Sequence, residues 1–197
     1  MAVEWPCPLS VEAYVAADRS IEVPRPSCPS CSQAMSFWGF YTRYLRVGEV
    51  VRLVVRRARC LGCRCSHALV PDFVAMGRLD GQEVIGRAIE ELAAGVGARS
   101  SALRAGLPRT TVRDWRRRVT DRSGLLIAGF LAAAVTLGDP APRHLSSGPG
   151  GLMVAVTAAV GAARRRHGAR GRRWPIANRI VGGQLVTTNT DPPWAAG

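Results

Sequence analysis

The chain has 197 residues, 47% of them hydrophobic and 21% charged, a balance that excludes wholesale disorder and allows one domain or two small ones. Its 27 basic residues, every one an arginine, outweigh 14 acidic ones, so the formal charge is +13 and a polyanion is the default partner. The two most apolar runs, 124–138 and 150–163, span 15 and 14 residues. A membrane-crossing helix needs roughly 17–25, so these runs are read as buried helices and no membrane insertion is expected.

Residues 1–27 form a proline-bearing arm of charge −2, with one helix expected near Val11–Ala17. No export signal opens the chain, so its six cysteines are expected in a reducing cytoplasm and point to metal binding, not to a disulfide framework.

Next comes the strongest motif. Cys28-Pro29-Ser30-Cys31 is followed, after 28 residues, by Cys60-Leu61-Gly62-Cys63. A two-residue gap lets a tight turn aim both sulfurs at one ion, and zinc takes four such ligands in a tetrahedron. Between the pairs, Phe37 to Ala58 reads as a β-hairpin. One arm is aromatic, the other is the β-branched run from Val50 to Val55, and Val47-Gly48-Glu49 forms the turn. Folding the hairpin would bring the pairs together, so Cys28, Cys31, Cys60 and Cys63 are the expected ligands of one structural Zn²⁺. Cys65 and His67 stand close behind and are read as bystanders, since one closed site needs four ligands. The run Phe37, Trp38, Phe40, Tyr41 and Tyr44 has two readings, a base-stacking platform or the core of a small ribbon, and packing is the expected use.

Beyond a linker at 71–81 the period changes to that of helices. Val84, Ile85, Ala88, Ile89 and Leu92 define a first helix ended by Gly95 and Gly97; a second covers Ser100–Ala105; a third runs from about Arg109 to Val119 after the break Gly106-Leu107-Pro108. These are the proportions of a helix-turn-helix over 82–122. Val112, Trp115 and Val119 form an inward stripe, which turns Arg109, Thr110, Arg113, Arg116 and Arg117 outward. That is the arrangement of a helix in the major groove of double-stranded DNA. Arg113 is placed for a guanine edge, and Arg116–Arg118 for phosphates. In the second helix Ser101 and Ala105 occupy positions where larger aliphatic residues are usual, so this helix either packs loosely or uses Leu103 in their place.

The order Cys-Pro-x-Cys, basic hairpin, Arg57-x-Arg59-Cys60-x-x-Cys63, a nearby His, then Gly106-Leu107-Pro108-x-x-Thr111-Val112-Arg113-x-Trp115 resembles the front end of bacterial insertion-sequence transposases. It also resembles an uncharacterised actinobacterial family of the same layout, in which the likeness extends to Asn178-Arg179 and Thr188-Asn189-Thr190. In transposases such elements bind transposon ends, which the resemblance implies for the four cysteines and the third helix. Those enzymes then carry a catalytic domain with three metal-binding carboxylates. After Gly124 this chain has two acids, Asp139 and Asp191, so no catalytic activity is expected.

Residues 123–197 read as an apolar helix (Leu125–Leu137), a Gly/Pro linker (Gly138–Gly151), a second helix (Leu152–Ala163), the cationic cluster Arg164–Arg166, Arg170, Arg172 and Arg173, and a loose end after Gly182. The apolar helices could pair two copies into a homodimer. The expected fold class is α+β, a zinc-ribbon hairpin followed by helices. The expected function is a non-enzymatic, zinc-containing DNA-binding protein of the nucleoid. A zinc-stabilised protein-interaction subunit is the alternative, and no small-molecule substrate is evident.

Overall fold

The computed structural model describes residues 2–140, 142, 145–168, 171–182 and 185. The chain is α+β and divides into two compact units, Met1–Val74 and Ala75–Gly197.

The first unit is built on a four-stranded sheet in the order β1-β4-β3-β2, with strands β1 (Ala2–Trp5), β2 (Met35–Arg46), β3 (Val50–Cys60) and β4 (Ser66–Pro71). β2 and β3 are the expected hairpin, joined where Gly48 adopts φ +114°, a conformation that costs glycine least. Two strands were not expected. β4 pairs antiparallel with β3, and β1 pairs parallel with β4. The N-terminal segment is therefore part of the sheet and not a separate arm, and α1 (Val11–Ala17) follows it, capped by Ser10 Oγ accepting from the Ala13 N–H at 3.1 Å. Tyr14 of α1 is fully buried, packs edge-on to Phe73 with ring centroids 5.3 Å apart, and donates its hydroxyl to Val54 O at 3.0 Å. Burial pushes the phenol pKa upward, so the ring stays a neutral donor.

The aromatic run does not serve as the core. Trp38, Phe40 and Tyr44 are 54%, 36% and 57% exposed, while the buried places go to Trp5, Tyr14, Leu53, Leu69 and Phe73. Two of these core aromatics come from the N-terminal segment, Trp5 from the unexpected strand β1 and Tyr14 from the expected helix.

The second unit contains α2 (Gln82–Ala93), α3 (Ala98–Ala105), α4 (Arg109–Asp121), α5 (Ser123–Thr136), α6 (Gly148–His167) and α7 (Arg173–Ile180). A single apolar core joins all six, with Ile85 and Ile89 of α2, Val112 and Trp115 of α4, Phe130 of α5, Val156 of α6 and Trp174 of α7 among its members. The helices α5, α6 and α7 thus share their packing with the three preceding helices. α6 begins four residues before the expected start at Leu152: Ser147 stands at its N-cap and Pro149 in its first turn, where a missing N–H costs nothing. α7 was not expected, because its sequence reads as a basic tail. No single helix is long and apolar enough to cross a membrane among the described residues.

Candidate metal centre

Each cysteine pair sits in a turn with the same backbone. In the first, Cys28 N–H donates to Gln33 O at 2.8 Å and Ser32 lies at φ +60°; in the second, Cys60 N–H donates to Cys65 O at 2.9 Å and Arg64 lies at φ +64°. A left-handed residue directly after the second Cys of each pair is uncommon for Ser and Arg. Its recurrence at equivalent positions shows two copies of one loop. The first copy is closed by the bridge between Ser27 and Ala34, and the second by the β3–β4 connection.

The two loops face each other. The four Sγ atoms all lie within 4.8 Å of one another, with Cys28–Cys63 at 3.5 Å and Cys31–Cys60 at 3.3 Å. These separations are too long for a disulfide. They are near the separation of about 3.8 Å expected between sulfurs in a tetrahedron with metal–sulfur bonds of about 2.3 Å. The four expected ligands are therefore brought together, and this cluster could hold a metal ion. Cys28 and Cys60 are buried, Cys31 is half-buried and Cys63 reaches the surface. A Cβ at Gly62 would come within 3.3 Å of Gln33 Cγ and 3.7 Å of Cys60 Sγ, so this position admits little more than glycine.

The electrostatics suit a cation. Burial tends to raise the Cys28 thiol, but the Ser30 N–H, the Cys63 thiol, the Cys31 N–H and His67 outweigh it and bring the pKa down to about 6. Cys60 is lowered chiefly by the Cys63 N–H, against burial, with help from the Cys31 thiol and the Gly62 N–H. Cys63 moves up: the Cys65 N–H works to lower it, but the thiols around it and burial prevail. Four adjacent sulfurs cannot all become thiolates unless a positive ion joins them, so the same geometry that favours the first thiolates selects for a multivalent cation.

His67 is fully buried, and its Nε2 lies 3.7 Å from Cys28 Sγ. The histidine is thus a neighbour of a ligand sulfur, placed to donate an N–H to the thiolate. Substituting His67→Phe keeps a buried ring and removes the donor. The expected result is a fall in metal affinity of about tenfold, read by competition with a chromophoric chelator, and a smaller loss in His67→Gln. Equal affinity in all three proteins would show that the ring only fills space.

The residues expected to touch DNA lie on α4. Val112, Trp115 and Val119 are buried, while Arg109, Thr110, Arg113 and Arg117 are exposed. Arg117 forms an exposed ion pair with Asp114 at 3.5 Å, of a kind that contributes little to stability. Arg116 departs from the outward set. It is half-buried, and its guanidinium donates to Val96 O in the connection before α3. α3 is tied to α2 by Arg104, whose Nε donates to Glu91 Oε1 at 2.8 Å; that hydrogen bond holds the Glu91 carboxyl below the usual carboxylate range. α3 buries Ser101 and Ala102, whereas Leu103 is 83% exposed and takes no part in the packing. Small residues there leave little side chain to fill the space beside α2 and α4.

Much of the basic cluster near α7 is engaged within the unit. Arg164 donates to Gly171 O at 2.9 Å, Arg165 pairs with Asp139, and Arg173 meets Glu90 and Thr157. Arg170 and Thr188-Asn189-Thr190 lie outside the described residues.

Residues 28–115 are similar to the family described as "Domain of unknown function (DUF6431)". The matched span opens on Cys28 and closes on Trp115 in the middle of α4, so it takes in both cysteine loops, the hairpin, β4, α2, α3 and half of α4. No curated protein and no solved structure matches the chain.

Proposed function

We propose that the protein is a zinc-containing, non-catalytic DNA-binding protein that reads duplex DNA with α4. The observation that carries the reading is the two-sided character of this helix. Its apolar stripe is sealed in the core, and at its N-terminal end Arg109, Thr110 and Arg113 are exposed together. α3 precedes it across a short turn in which Gly106 is left-handed at φ +63° and Pro108 stands at the N-cap of the new helix. Together α3 and α4 have the sequence proportions of a helix-turn-helix, whose second helix enters the major groove. Zinc is the metal of choice for four thiolates in a tetrahedron. With no open position such a site is structural, and it would organise the sheet without taking part in a reaction. The resemblance to transposase front ends supports DNA as partner.

Selection from random duplexes, with zinc and with a chelator, tests the proposal. The expected outcome is a defined sequence motif that disappears on chelation. Arg113→Ala should lose about 10- to 100-fold in discrimination at one base pair. Arg117→Ala should weaken all sequences alike and flatten the log–log salt dependence by about 0.9. Absence of any motif from the zinc-loaded protein defeats the proposal.

A further inference from the structure

The hairpin presents a second surface that duplex reading by α4 leaves unused. β2 and β3 together hold six arginines and no acidic residue, and one of the six, Arg52, pairs with Asp18 at 3.5 Å. Along β2 the exposed positions alternate, and three of them are the aromatic residues Trp38, Phe40 and Tyr44. The strand register gives two of these rings an arginine directly opposite, Phe40 facing Arg56 and Tyr44 facing Arg52, with Thr42 and Val54 between the rows. A bulge between Phe37 and Gly39 brings Phe37 to the same side as Phe40. There the Arg56 guanidinium lies 4.6 Å from the Phe37 ring centroid and 4.8 Å from that of Phe40. Arg25 and Arg19 extend the row at 5.5 Å from Phe37 and 5.7 Å from Phe40, and Arg57 stands 5.2 Å from the Trp38 ring.

We propose that this arginine-and-aromatic face of the β2–β3 hairpin binds single-stranded nucleic acid, its exposed rings stacking on unpaired bases and its arginines holding the phosphates. The charge selects a polyanion. The rings select its form, because a duplex buries the π faces of its bases and a single strand offers them. A guanidinium stacked on a ring uses its π face and keeps in-plane N–H donors for phosphate oxygens. Phe40 and Tyr44 are four residues apart on one face, about 13 Å at the usual strand rise, and only the small Thr42 lies between them, so bases can lie on both.

The test uses the full-length, zinc-loaded protein with fluorescently labelled oligo-dT and oligo-U as probes and a duplex of the same length beside them. The two single strands separate DNA from RNA as the source. Phe40→Ala and Tyr44→Ala should each weaken single-strand binding by about tenfold, with zinc content, circular dichroism and duplex affinity unchanged. Tyr44→Trp should retain binding, and Tyr44→Leu, apolar but unable to stack, should lose it. Arg113→Ala on α4 should leave single-strand binding intact, so failure of the duplex proposal and failure of this one are separable. Equal affinity of Tyr44→Leu, Tyr44→Ala and the unsubstituted protein for both single strands would overturn the inference. So would a shift from dimer to monomer in the Tyr44 variants without single-strand binding, which would assign the face to a second copy of the chain.

Discussion

Replacing Cys60 by Ser should abolish metal binding and unfold the Met1–Val74 unit while leaving the helices of Ala75–Gly197 in place. Cys60 is buried at the end of β3, where the strand turns through the second cysteine loop into β4. Losing the ion removes the one link that joins this loop to the Cys28 loop through all four sulfurs. A structural zinc contributes on the order of 10–16 kcal/mol to folding at neutral pH, comparable to the whole net stability of a small domain. The unit's own apolar interior, which includes Tyr14, Leu53, Leu69 and Phe73, has fewer buried residues than the core of the helices. The six helices have a separate core that no cysteine enters. Hydrogen exchange should therefore show protection lost across β2, β3 and β4 and kept in α2, α4 and α5, and metal analysis should give one zinc per chain before substitution and none after. Cys63→Ser should behave alike although the residue is exposed, whereas Cys7→Ser and Cys65→Ser should keep the metal. Protection of β3 that survives both substitution and chelation would mean that the sheet stands without its ion.

These expectations rest on features of very different legibility. The cysteine loops could be read directly, because metal geometry constrains both residue type and spacing; the structure adds the matching left-handed residues Ser32 and Arg64 and the buried His67 beside Cys28. The hairpin was legible from its β-branched arm and its glycine turn. β4 was not, because His67-Ala68-Leu69-Val70 lacks the alternation that marks a half-buried strand and its neighbours cover it on both edges. β1 is four residues long and is a strand through its pairing with β4, a contact between distant segments that local pattern does not encode. The aromatic run misled for a related reason. Aromatic residues are core formers by default, and only the register, which sets arginines opposite Phe40 and Tyr44, shows that this face carries charge. On α4 the inward stripe was plain from its spacing, but the turn of Arg116 toward Val96 depends on where the α2–α3 connection passes.

Gly86→Ala should destabilise the second unit in the unsubstituted protein and stabilise it when Trp174 is replaced by Ala. Gly86 lies in the middle of α2, where exchanging glycine for alanine normally gains about 1 kcal/mol of helix propensity. Here an added Cβ would fall 2.1 Å from Trp174 Cγ, closer than any two such atoms approach. The indole therefore occupies the space that the missing side chain leaves. It is buried, and its Nε1–H donates to Glu90 Oε1, one turn further along α2, at 3.0 Å. Displacing it forfeits most of the burial of a large aromatic, a cost of about 3–5 kcal/mol judged by core Trp→Ala exchanges, which exceeds the propensity gain. In Trp174→Ala that cost has already been incurred and the Cβ meets open space, so the propensity term alone remains and the sign reverses. Thermal or urea denaturation of the four proteins in this cycle measures the coupling, expected at several kcal/mol because the two residues touch. Additive effects would mean that Trp174 rests on α2 without filling the Gly86 gap. The pair also accounts for the part of the sequence that reads least clearly. A lone glycine in an otherwise regular helical pattern signals close approach by another element, and the basic tail holds the tryptophan that makes that approach, docked on the same helix that Arg104 of α3 grips at Glu91. α2 is thus held both by α3 and by α7, the second through a contact made more than 80 residues later in the chain.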